Sequence, residues 1–314
     1  MQASEAQNDK LALDGSTTER REPVPRPAVC AVVVTYHPTL GMVENLSHVA
    51  AQTQGLVVVD NHSNPDSLNR LRAASRSLGF HLIENAENRG IAEALNQGVR
   101  WAKSAAHPWV ILFDQDSRLG PNFVANMMAT WESHLQRDRV CSVHPTYYDP
   151  EVVKDPVRQR ASDGGPITSM TSGALMPMWV FDKIGWFASE FFIDEVDAEY
   201  CYRIRAAGYM IADSKRATLL HSTGNPERFS FLGFTCRPTQ HSATRRYYMS
   251  RNRIVLYRRY FPIFPRFVLH SMHMALIETI KCFVADRDRL RKFRNFLLGT
   301  WDGFRGKMGK REGV

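Results

Sequence analysis

The sequence lacks the features of a membrane-spanning or secreted protein. Hydrophobic residues make up 44% of the 314 residues, but no apolar run approaches the ~20 residues that a membrane-spanning helix needs. Residues 1–27 are polar and contain no apolar signal segment, and we expect a disordered leader there. The five cysteines are widely spaced, with no Cys-x-x-Cys pair. This spacing argues against a zinc site or a disulfide framework and favours a reducing cytosol.

Acidic residues are missing from a long stretch near the C-terminus. Between Arg228 and Ile277 there are nine arginines and no Asp, Glu or Lys. Residues 287–311 then carry nine Lys or Arg against two Asp, although the whole chain has a formal charge of only +8. A basic half that follows an acidic half indicates an anionic partner, such as a phosphate, the anionic face of a membrane or a nucleic acid. We expect no nucleic-acid partner, because the sequence contains no recognised nucleic-acid-binding motif.

What the sequence does contain is a regular alternation of strand and helix patterns. Apolar runs that predict buried strands lie at 28–35, 56–60, 80–83 and 109–113. Segments with helical spacing lie between them, at 40–52, 68–77 and 90–103. Units of ~30 residues predict βαβ crossovers and therefore an α/β fold with a mainly parallel sheet flanked by helices. Later patterns predict strands at 140–143, within 168–178 and at 217–220, an irregular flap at 146–166 and a short helix at 200–207.

The fourth apolar run ends in two carboxylates. Asp114 and Asp116 follow Val110–Phe113, and side chains two residues apart in an extended backbone point the same way. Open α/β sheets bind ligands beyond the carboxyl ends of their strands. Oxygen ligands at that edge suit Mg²⁺ or Mn²⁺, especially a cation carried by a nucleotide diphosphate. Taken alone, the motif is interpreted equally well as a turn in which Asp and Ser side chains satisfy backbone amides.

Four further carboxylates lie within six residues, at Asp194, Glu195, Asp197 and Glu199. Carboxylates this close repel one another unless a cation, a proton or a basic side chain is near. The apolar residues at 191–193 predict that at least one carboxylate points into a partly buried cleft. The alternative is a solvated helix start, where acidic residues are favoured by the helix dipole.

Arginines interleaved with aromatic residues follow the last predicted strand. Arg245, Arg246 and Arg251 belong to this segment, and planar guanidinium groups suit bidentate phosphate binding. A basic amphipathic helix lying on the acidic half is an equally good interpretation. Further on, a single apolar stripe of helical spacing either packs on the catalytic domain or, with the basic tail, lies in a membrane interface. The stripe consists of Val268, Leu269, Met272, Leu276, Ile280 and Phe283.

Six motifs along the chain occur in the order found in one enzyme family. They are V-V-V-T-Y-H-P (32–38), V-V-D-N-H-S (58–63), N-R-G-I-A-E-A-L-N-Q-G (88–98), L-F-D-Q-D-S (112–117), T-S-G (171–173) and F-I-D-E-V-D-A-E-Y-C-Y-R (192–203). This set resembles the inverting glycosyltransferases of family 2, and most closely the bacterial rhamnosyltransferases that use dTDP-L-rhamnose. The resemblance implies a GT-A glycosyltransferase domain over 28–260, followed by a basic amphipathic helical segment over 261–314.

The resemblance also implies roles for individual residues. Those that match positions holding the base and ribose are Thr35, Tyr36, Asp60 and Asn61. Those that match the loop and helix closing over the nucleotide are Asn88, Gly90 and Asn96, and Ser172 and Gly173 allow close approach of the backbone to a ligand. Asp116 is expected to be the direct metal ligand, with Asp114 nearer the ribose, and His221 matches a position that in relatives completes the metal or diphosphate site. Arg245, Arg246 and Arg251 are candidates for a diphosphate clamp.

The general base follows from the last motif. Relatives commonly have Glu-Asp just before a helix that carries Cys-x-Arg. Counting back from Cys201 and Arg203 places the base at Asp197, with Val196 where Glu is frequent. Asp194 is the second candidate for this role.

The implied activity is metal-assisted, in-line transfer of L-rhamnose from dTDP-L-rhamnose to a hydroxyl of a lipid-linked or glycolipid acceptor. The acceptor is either an O-antigen or other cell-wall glycan, or a rhamnolipid precursor, and the enzyme is expected at the cytoplasmic face of the inner membrane. One alternative keeps the fold but uses another nucleotide sugar, and another is a basic nucleic-acid-binding protein. A nucleotidyltransferase would need a Gly-rich phosphate loop after the first strand, and residues 36–38 (Tyr-His-Pro) do not form one.

Overall fold

The structure is a computed structural model that describes residues 28–148, 159–220, 229–231, 234–236, 241–285 and 288–314. Its strands are β1 (Val29–Thr35), β2 (Gly55–Asp60), β3 (His81–Glu84), β4 (Trp109–Asp114), β5 (Arg118–Leu119), β6 (Val140–Tyr148), β7 (Leu175–Pro177), β8 (Met210–Leu220), β9 (Phe229–Phe231) and β10 (Phe234–Cys236). Its α-helices are α1 (Leu40–Gln52), α2 (Pro65–Leu78), α3 (Ile91–Ser104), α4 (Phe123–Glu132), α5 (Trp179–Lys183), α6 (Val196–Ala206), α7 (Ala243–Tyr260), α8 (Pro265–Ala285) and α9 (Arg289–Phe304).

Eight of the strands form one sheet in the order β3-β2-β1-β4-β7-β6-β8-β5. Strands β3, β2, β1 and β4 are parallel, and so are β6 and β8, whereas β7 runs antiparallel between β4 and β6. Every residue of β1 is buried, as expected for a central strand covered by helices on both faces. The predicted α/β class with a mainly parallel sheet is confirmed.

The parallel strands bring their last residues to one edge of the sheet. Thr35 at the end of β1 pairs in register with Asp60 at the end of β2, and Asp60 pairs with Glu84 of β3. Asp114, the last residue of β4, pairs with Val34. Polar side chains that are far apart in the sequence therefore lie side by side, as the strand pattern predicts.

Helix α6 begins earlier than predicted, at Val196 rather than Tyr200. Asp197 and Glu199 consequently lie in the first turn of the helix, where the helix dipole favours negative charge. Strand β8 is also longer than predicted, because it starts at Met210 and continues through the predicted strand at 217–220. The acidic motif at 194–199 thus contains the start of helix α6.

Helices α7 and α9 lie on either side of the predicted boundary at residue 260 and pack against each other. Helix α9 packs along α7 at Gly299, where an added Cβ would lie 2.2 Å from the Tyr247 carbonyl oxygen, and at Gly303, where it would lie 2.7 Å from that of Arg251. Tyr247 also donates a hydrogen bond of 2.8 Å from its hydroxyl to Asp302. The C-terminal segment is therefore attached to α7 by close helix packing.

The predicted apolar stripe of α8 is mostly exposed. Val268 is fully buried, but the side chains of Leu269, Met272, Leu276 and Ile280 are exposed, and Phe283 is not among the side chains described. The prediction that this whole stripe packs on the catalytic domain is thus wrong. No helix in the described part of the chain is long and apolar enough to span a bilayer.

Candidate active site

The acidic motif lies in a strained loop that precedes α6. Phe192, Asp194 and Glu195 have positive φ angles of 65°, 64° and 62°, a region that non-glycine residues rarely adopt and that costs of order 1–3 kcal/mol each. The buried amide of Asn252 on α7 holds this loop, because its nitrogen donates to the carbonyl oxygens of Phe191 at 2.9 Å, Ile193 at 2.8 Å and Asp194 at 2.9 Å. Strain and fixation together indicate a site whose geometry is imposed by α7.

Three of the four carboxylates in the motif bind arginines. Asp194 receives two hydrogen bonds from Arg245, at 2.5 and 3.3 Å. Glu195 binds Arg253 at 2.7 Å. Glu199, which is almost fully buried, binds Arg203 at 2.5 Å and Arg259 at 2.9 Å. The repulsion anticipated from the sequence is thus offset by four guanidinium groups, three of which come from α7.

Asp197 differs from its neighbours. One of its oxygens accepts a 2.8 Å hydrogen bond from the backbone N–H of Ala198. Burial raises the pKa of Asp197 from 3.8 to about 7, with further contributions from the negative charges of Glu195, Asp194 and Asp114. A carboxyl with a pKa near neutrality can accept and release a proton at physiological pH.

A cavity of about 430 Å³ opens at this point of the structure. The residues that line it are Tyr147, Thr168, Ser169, Met170, Asp194, Glu195, Asp197, Ala198, Met249 and Arg253. Both candidate bases therefore face one cavity. Asp114 and Asp116 are not among the described residues that line it, although the charge of Asp114 acts on both Asp197 and Arg245.

The nucleotide positions implied by the resemblance form a connected polar edge. Thr35 donates a 3.1 Å hydrogen bond to the buried carboxylate of Asp60, which also accepts one from the hydroxyl of Ser63 at 2.5 Å. The backbone N–H of Tyr36 donates to the Gln115 side chain at 2.8 Å, and the Tyr36 ring is 46% exposed. The end of β1 is thereby joined to the Asp114–Asp116 turn.

An amide network connects this edge to the acidic loop. The Asn61 side chain donates to the side-chain Oδ1 of Asn88 at 3.0 Å, and the same oxygen accepts the Gly90 N–H at 2.9 Å. Gly90 has φ 82° and ψ 163°, a conformation essentially restricted to glycine. A Cβ there would lie 2.4 Å from the carbonyl oxygen of Phe192. Gly90 is therefore required for the close contact between the nucleotide edge and the acidic loop.

Ser172 and Gly173 support the carboxylate turn from the neighbouring strand. The Ser172 hydroxyl lies 2.5 Å from that of Ser117 and accepts the Asp114 N–H at 3.3 Å. Gly173 donates to the Leu112 carbonyl oxygen at 2.6 Å, and a Cβ on it would lie 2.7 Å from the Pro145 ring. The close backbone approach that Gly173 allows is therefore to Leu112 and Pro145 of the protein itself.

Several predicted site residues lie elsewhere. Asn96 is buried and exchanges 2.9 Å hydrogen bonds with the Phe187 backbone. Arg246 binds Glu278 of α8 at 3.0 Å. Arg251 is fully buried, and its guanidinium donates to the carbonyl oxygens of Phe191 at 3.1 Å and Gly309 at 2.5 Å. These three side chains are used to hold helices and loops together, so the diphosphate clamp predicted for Arg246 and Arg251 does not fit this arrangement. His221 lies outside the described residues.

The carboxylates at the end of β4 can contribute to a metal site. Among the described residues, no cluster of three or more His, Cys, Asp or Glu side chains forms a ready-made site. Asp114 and Asp116 supply two carboxylates two residues apart at the edge of the sheet. Mg²⁺ is commonly held by one or two carboxylates together with substrate phosphates. The residues present thus fit a cation that arrives with a diphosphate.

Sequence reasoning missed the residues that arrange the acidic loop. Neither Asn252, which holds the loop, nor Arg253, which bridges Glu195 and Glu278, is among the predicted site residues, although both lie in the predicted arginine-rich segment. His241 was also missed, and burial, with the nearby Arg245 charge, lowers its pKa to about 4. The Tyr147 hydroxyl donates to the Ser172 carbonyl oxygen at 2.8 Å. No local pattern marks these side chains, because their partners are distant in the sequence.

A parallel sheet with acidic residues at its carboxyl edge and an adjoining carboxylate cavity defines an α/β enzyme with its site at that edge. Residues 30–185 match the family described as Glycosyl transferase family 2. The chain belongs to this family, and the protein is a glycosyltransferase.

One relative and two solved structures are similar to this chain. The dTDP-rhamnosyl transferase RfbF of Shigella flexneri is 27% identical over 298 residues, which cover 90% of this chain and 97% of RfbF. The mannosyltransferase PcManGT of Pyrobaculum calidifontis, solved with GDP-Man and Mn²⁺, superimposes with a TM-score of 0.57 at 15% identity over 91% of this chain and 89% of that one.

TarS of S. aureus is a second solved structure with this fold. Its 1–349 fragment, solved with UDP-GlcNAc, gives a TM-score of 0.50 at 13% identity and covers 88% of this chain and 72% of the fragment. This chain spans 42% of the full TarS chain. At these identities the two solved structures show the fold alone, and with it the GT-A architecture is confirmed.

Proposed function

We propose that this enzyme transfers L-rhamnose from dTDP-L-rhamnose to a hydroxyl of a lipid-linked or glycolipid acceptor, with inversion at the anomeric carbon. The observation that carries the proposal is the cavity in which Asp197, with a pKa near 7, lies beside the Asp194–Arg245 pair. The choice of sugar and nucleotide is supported by the near full-length similarity to the Shigella dTDP-rhamnosyl transferase.

The nucleotide would lie along the edge formed by β1, β2 and the α3 start. Thr35, Asp60 and Asn61 would bind its base and ribose through the hydrogen-bonding groups of that edge, and the exposed Tyr36 ring would cover the base. Asn88 and Gly90 would shape the loop beside it. Asn96 is omitted from this set, because its amide is committed to the Phe187 backbone on both sides.

A divalent cation, Mg²⁺ or Mn²⁺, would be held by Asp116, with Asp114 beside it. When bound, such a cation offsets the negative charge that develops on a departing diphosphate. Its support is the pair of carboxylates at the end of β4 and the Mn²⁺ present in the mannosyltransferase of the same fold. His221 stays a candidate ligand from the sequence.

Asp197 is proposed as the general base. It takes the proton from the acceptor hydroxyl while that oxygen forms a bond to the anomeric carbon. The bond from this carbon to the β-phosphate oxygen breaks, and its electron pair leaves with dTDP. A single displacement of this kind inverts the configuration, and general-base catalysis contributes about 10²–10⁴-fold. Asp194 is less suitable, because both its oxygens receive hydrogen bonds from Arg245.

Arg245 is retained as the residue that faces the leaving group. Its side chain is 42% exposed, in contrast to the buried Arg246 and Arg251. Burial opposes its charge, but the hydrogen bonds and charge of Asp194, with the further charge of Asp114, raise the pKa of Arg245. A half-exposed guanidinium close to both Asp194 and Asp114 can also bind phosphate oxygens in a bidentate manner.

The exposed surface of the last helices supports an acceptor that lies at the membrane. Of the eighteen large hydrophobic side chains exposed in the described part of the chain, twelve lie between Phe261 and Phe304. Helix α9 buries Lys292, Asn295 and Asp302 and exposes Leu297, Trp301 and Phe304. Residues 261–314 also carry eleven Lys or Arg against five Asp or Glu. Such a surface suits the interface of an anionic membrane, here the cytoplasmic face of the inner membrane.

The proposal is tested by a screen of nucleotide sugars in the presence of Mn²⁺. A donor at 100 times its Kd should stabilise the protein by about 2.7 kcal/mol in a thermal-shift assay. We expect dTDP-L-rhamnose to give this shift and to release dTDP, and EDTA to abolish both effects. A shift with UDP- or GDP-sugars alone would contradict the proposed donor, and activity in EDTA would contradict the metal.

A further inference from the structure

A second cavity, of about 170 Å³, lies between α7, α8 and α9. Most of the residues that line it present aliphatic, aromatic or thiol groups, among them Met249, Ile254, Tyr257, Leu276, Cys282 and Phe296. Its polar members include Arg246 and Arg253, which both bind Glu278 at 3.0 Å.

The wall of this cavity is shared with the catalytic cavity. Met249 and Arg253 line both spaces. Arg253 binds Glu195 on the catalytic side at 2.7 Å and Glu278 on the other side at 3.0 Å. The side chains of Met249 and Arg253 thus separate the catalytic cavity, which contains Asp197, from the second cavity.

The opposite end of this cavity reaches the apolar surface of α8. Leu276 lines the cavity, yet its side chain is 59% exposed. The neighbouring exposed residues on α8 include Met272 and Ile280. An apolar space thus extends from the exposed surface of α8 towards the residues that border Asp197.

We propose that the cavity between α7, α8 and α9 binds the hydrocarbon chain of the acceptor while the acceptor hydroxyl lies in the catalytic cavity. This inference rests on the proposed function, because it assigns the apolar part of the acceptor named there. An amphiphile matches both spaces: its chain is buried among Met249, Ile254 and Phe296, and its polar group passes the Arg253–Glu195 pair.

Binding of alkyl α-L-rhamnosides with octyl, decyl and dodecyl chains tests the proposal, measured by calorimetry below their critical micelle concentrations and without donor. Each methylene that enters the cavity should strengthen binding about fourfold. The gain should end once the cavity is filled. Affinity that does not change with chain length would overturn the proposal.

Two neighbouring substitutions on α8 separate the cavity from the exposed surface. Ala275→Phe fills the cavity, whereas Met274→Phe changes an adjacent residue whose side chain is 50% exposed and is not among the cavity residues. We expect A275F to lose the dependence on chain length and to weaken dodecyl rhamnoside binding at least about tenfold, with M274F unchanged. The reverse pattern would place the hydrocarbon on the surface of α8 and overturn the proposal.

Hydrolysis of dTDP-L-rhamnose in the absence of acceptor distinguishes the two proposals. Both variants should retain this activity and unfold cooperatively near the wild-type temperature. Retained hydrolysis with no dependence on chain length refutes the hydrocarbon site alone. Absence of both hydrolysis and a thermal shift with dTDP-L-rhamnose in the wild type refutes the donor, while the calorimetric series still reports on the cavity.

Discussion

The pH dependence of transfer follows directly from Asp197. Burial and the charges of Glu195, Asp194 and Asp114 raise its pKa to about 7, and only the deprotonated form can accept a proton. We therefore expect kcat/KM to rise with pH and to level off above about pH 7, with about a tenth of the plateau value at pH 6.

The variant Asp197→Asn removes the base without removing bulk. Its kcat should fall by about 10²–10⁴-fold, and the remaining activity should lose the rise near pH 7. The assay is release of dTDP over pH 5–9, with saturating dTDP-L-rhamnose and a decyl rhamnoside acceptor. Retention of more than about a tenth of the wild-type kcat would refute the assignment of the base.

The same substitution has an opposite effect on stability. Because the pKa of Asp197 is higher in the folded state than its ordinary value of 3.8, the folded protein binds this proton more tightly than the unfolded chain. Stability from this group is therefore lost as pH rises from about 4 to about 7. At pH 8, D197N should be more stable than the wild type, by at most about 4 kcal/mol. Equal unfolding free energies for the two proteins at pH 8 would contradict the burial of Asp197.

Three further predictions concern the residues around the base. Gly90→Ala should lower the free energy of unfolding by about 3 kcal/mol or more, because its Cβ would meet the Phe192 carbonyl oxygen at 2.4 Å. Gly79→Ala, at φ 73° with open space around it, should cost only about 1 kcal/mol; equal costs in urea titrations would count against the Gly90 contact. Asn252→Ala should cost about 2–4 kcal/mol and reduce kcat, whereas Asn126→Ala, which removes one exposed hydrogen bond to Arg216, should leave kcat unchanged. Arg245→Ala should raise KM for dTDP-L-rhamnose about 10–100-fold, and an unaltered KM would remove Arg245 from the donor site.

The first half of the fold could be predicted from the sequence because its strands are buried on both faces. Such strands produce uninterrupted apolar runs, and the run before Asp114 ends where the sheet ends. Since parallel strands end at one edge, the proximity of Thr35, Asp60 and Asp114 also followed. The sequence also predicted that at least one carboxylate of the acidic motif points into a partly buried cleft, because apolar residues at 191–193 directly precede it.

The individual roles of the arginines could not be predicted. One interpretation of their segment, a basic amphipathic helix lying on the acidic half, agrees with the ion pairs between α7 and the acidic motif. Neither interpretation predicts the burial of Arg251, whose hydrogen bonds are accepted by the carbonyl oxygens of Phe191 and Gly309. Those carbonyls belong to residues some 60 positions away. The apolar stripe of α8 was correctly located, but its exposure was not predicted. The close packing of α9 on α7 through Gly299 and Gly303 was not predicted either. Such pairings depend on tertiary contacts that no local pattern specifies.

The anomeric configuration of the product tests the central claim most directly. Wild-type enzyme, dTDP-L-rhamnose and a decyl rhamnoside acceptor should give a disaccharide whose new linkage, observed by NMR during the first turnovers, has the opposite configuration to the donor. With D197N this signal should be absent over the same period. A product that retains the donor configuration, or one that D197N forms at the wild-type rate, would contradict single displacement with Asp197 as the base.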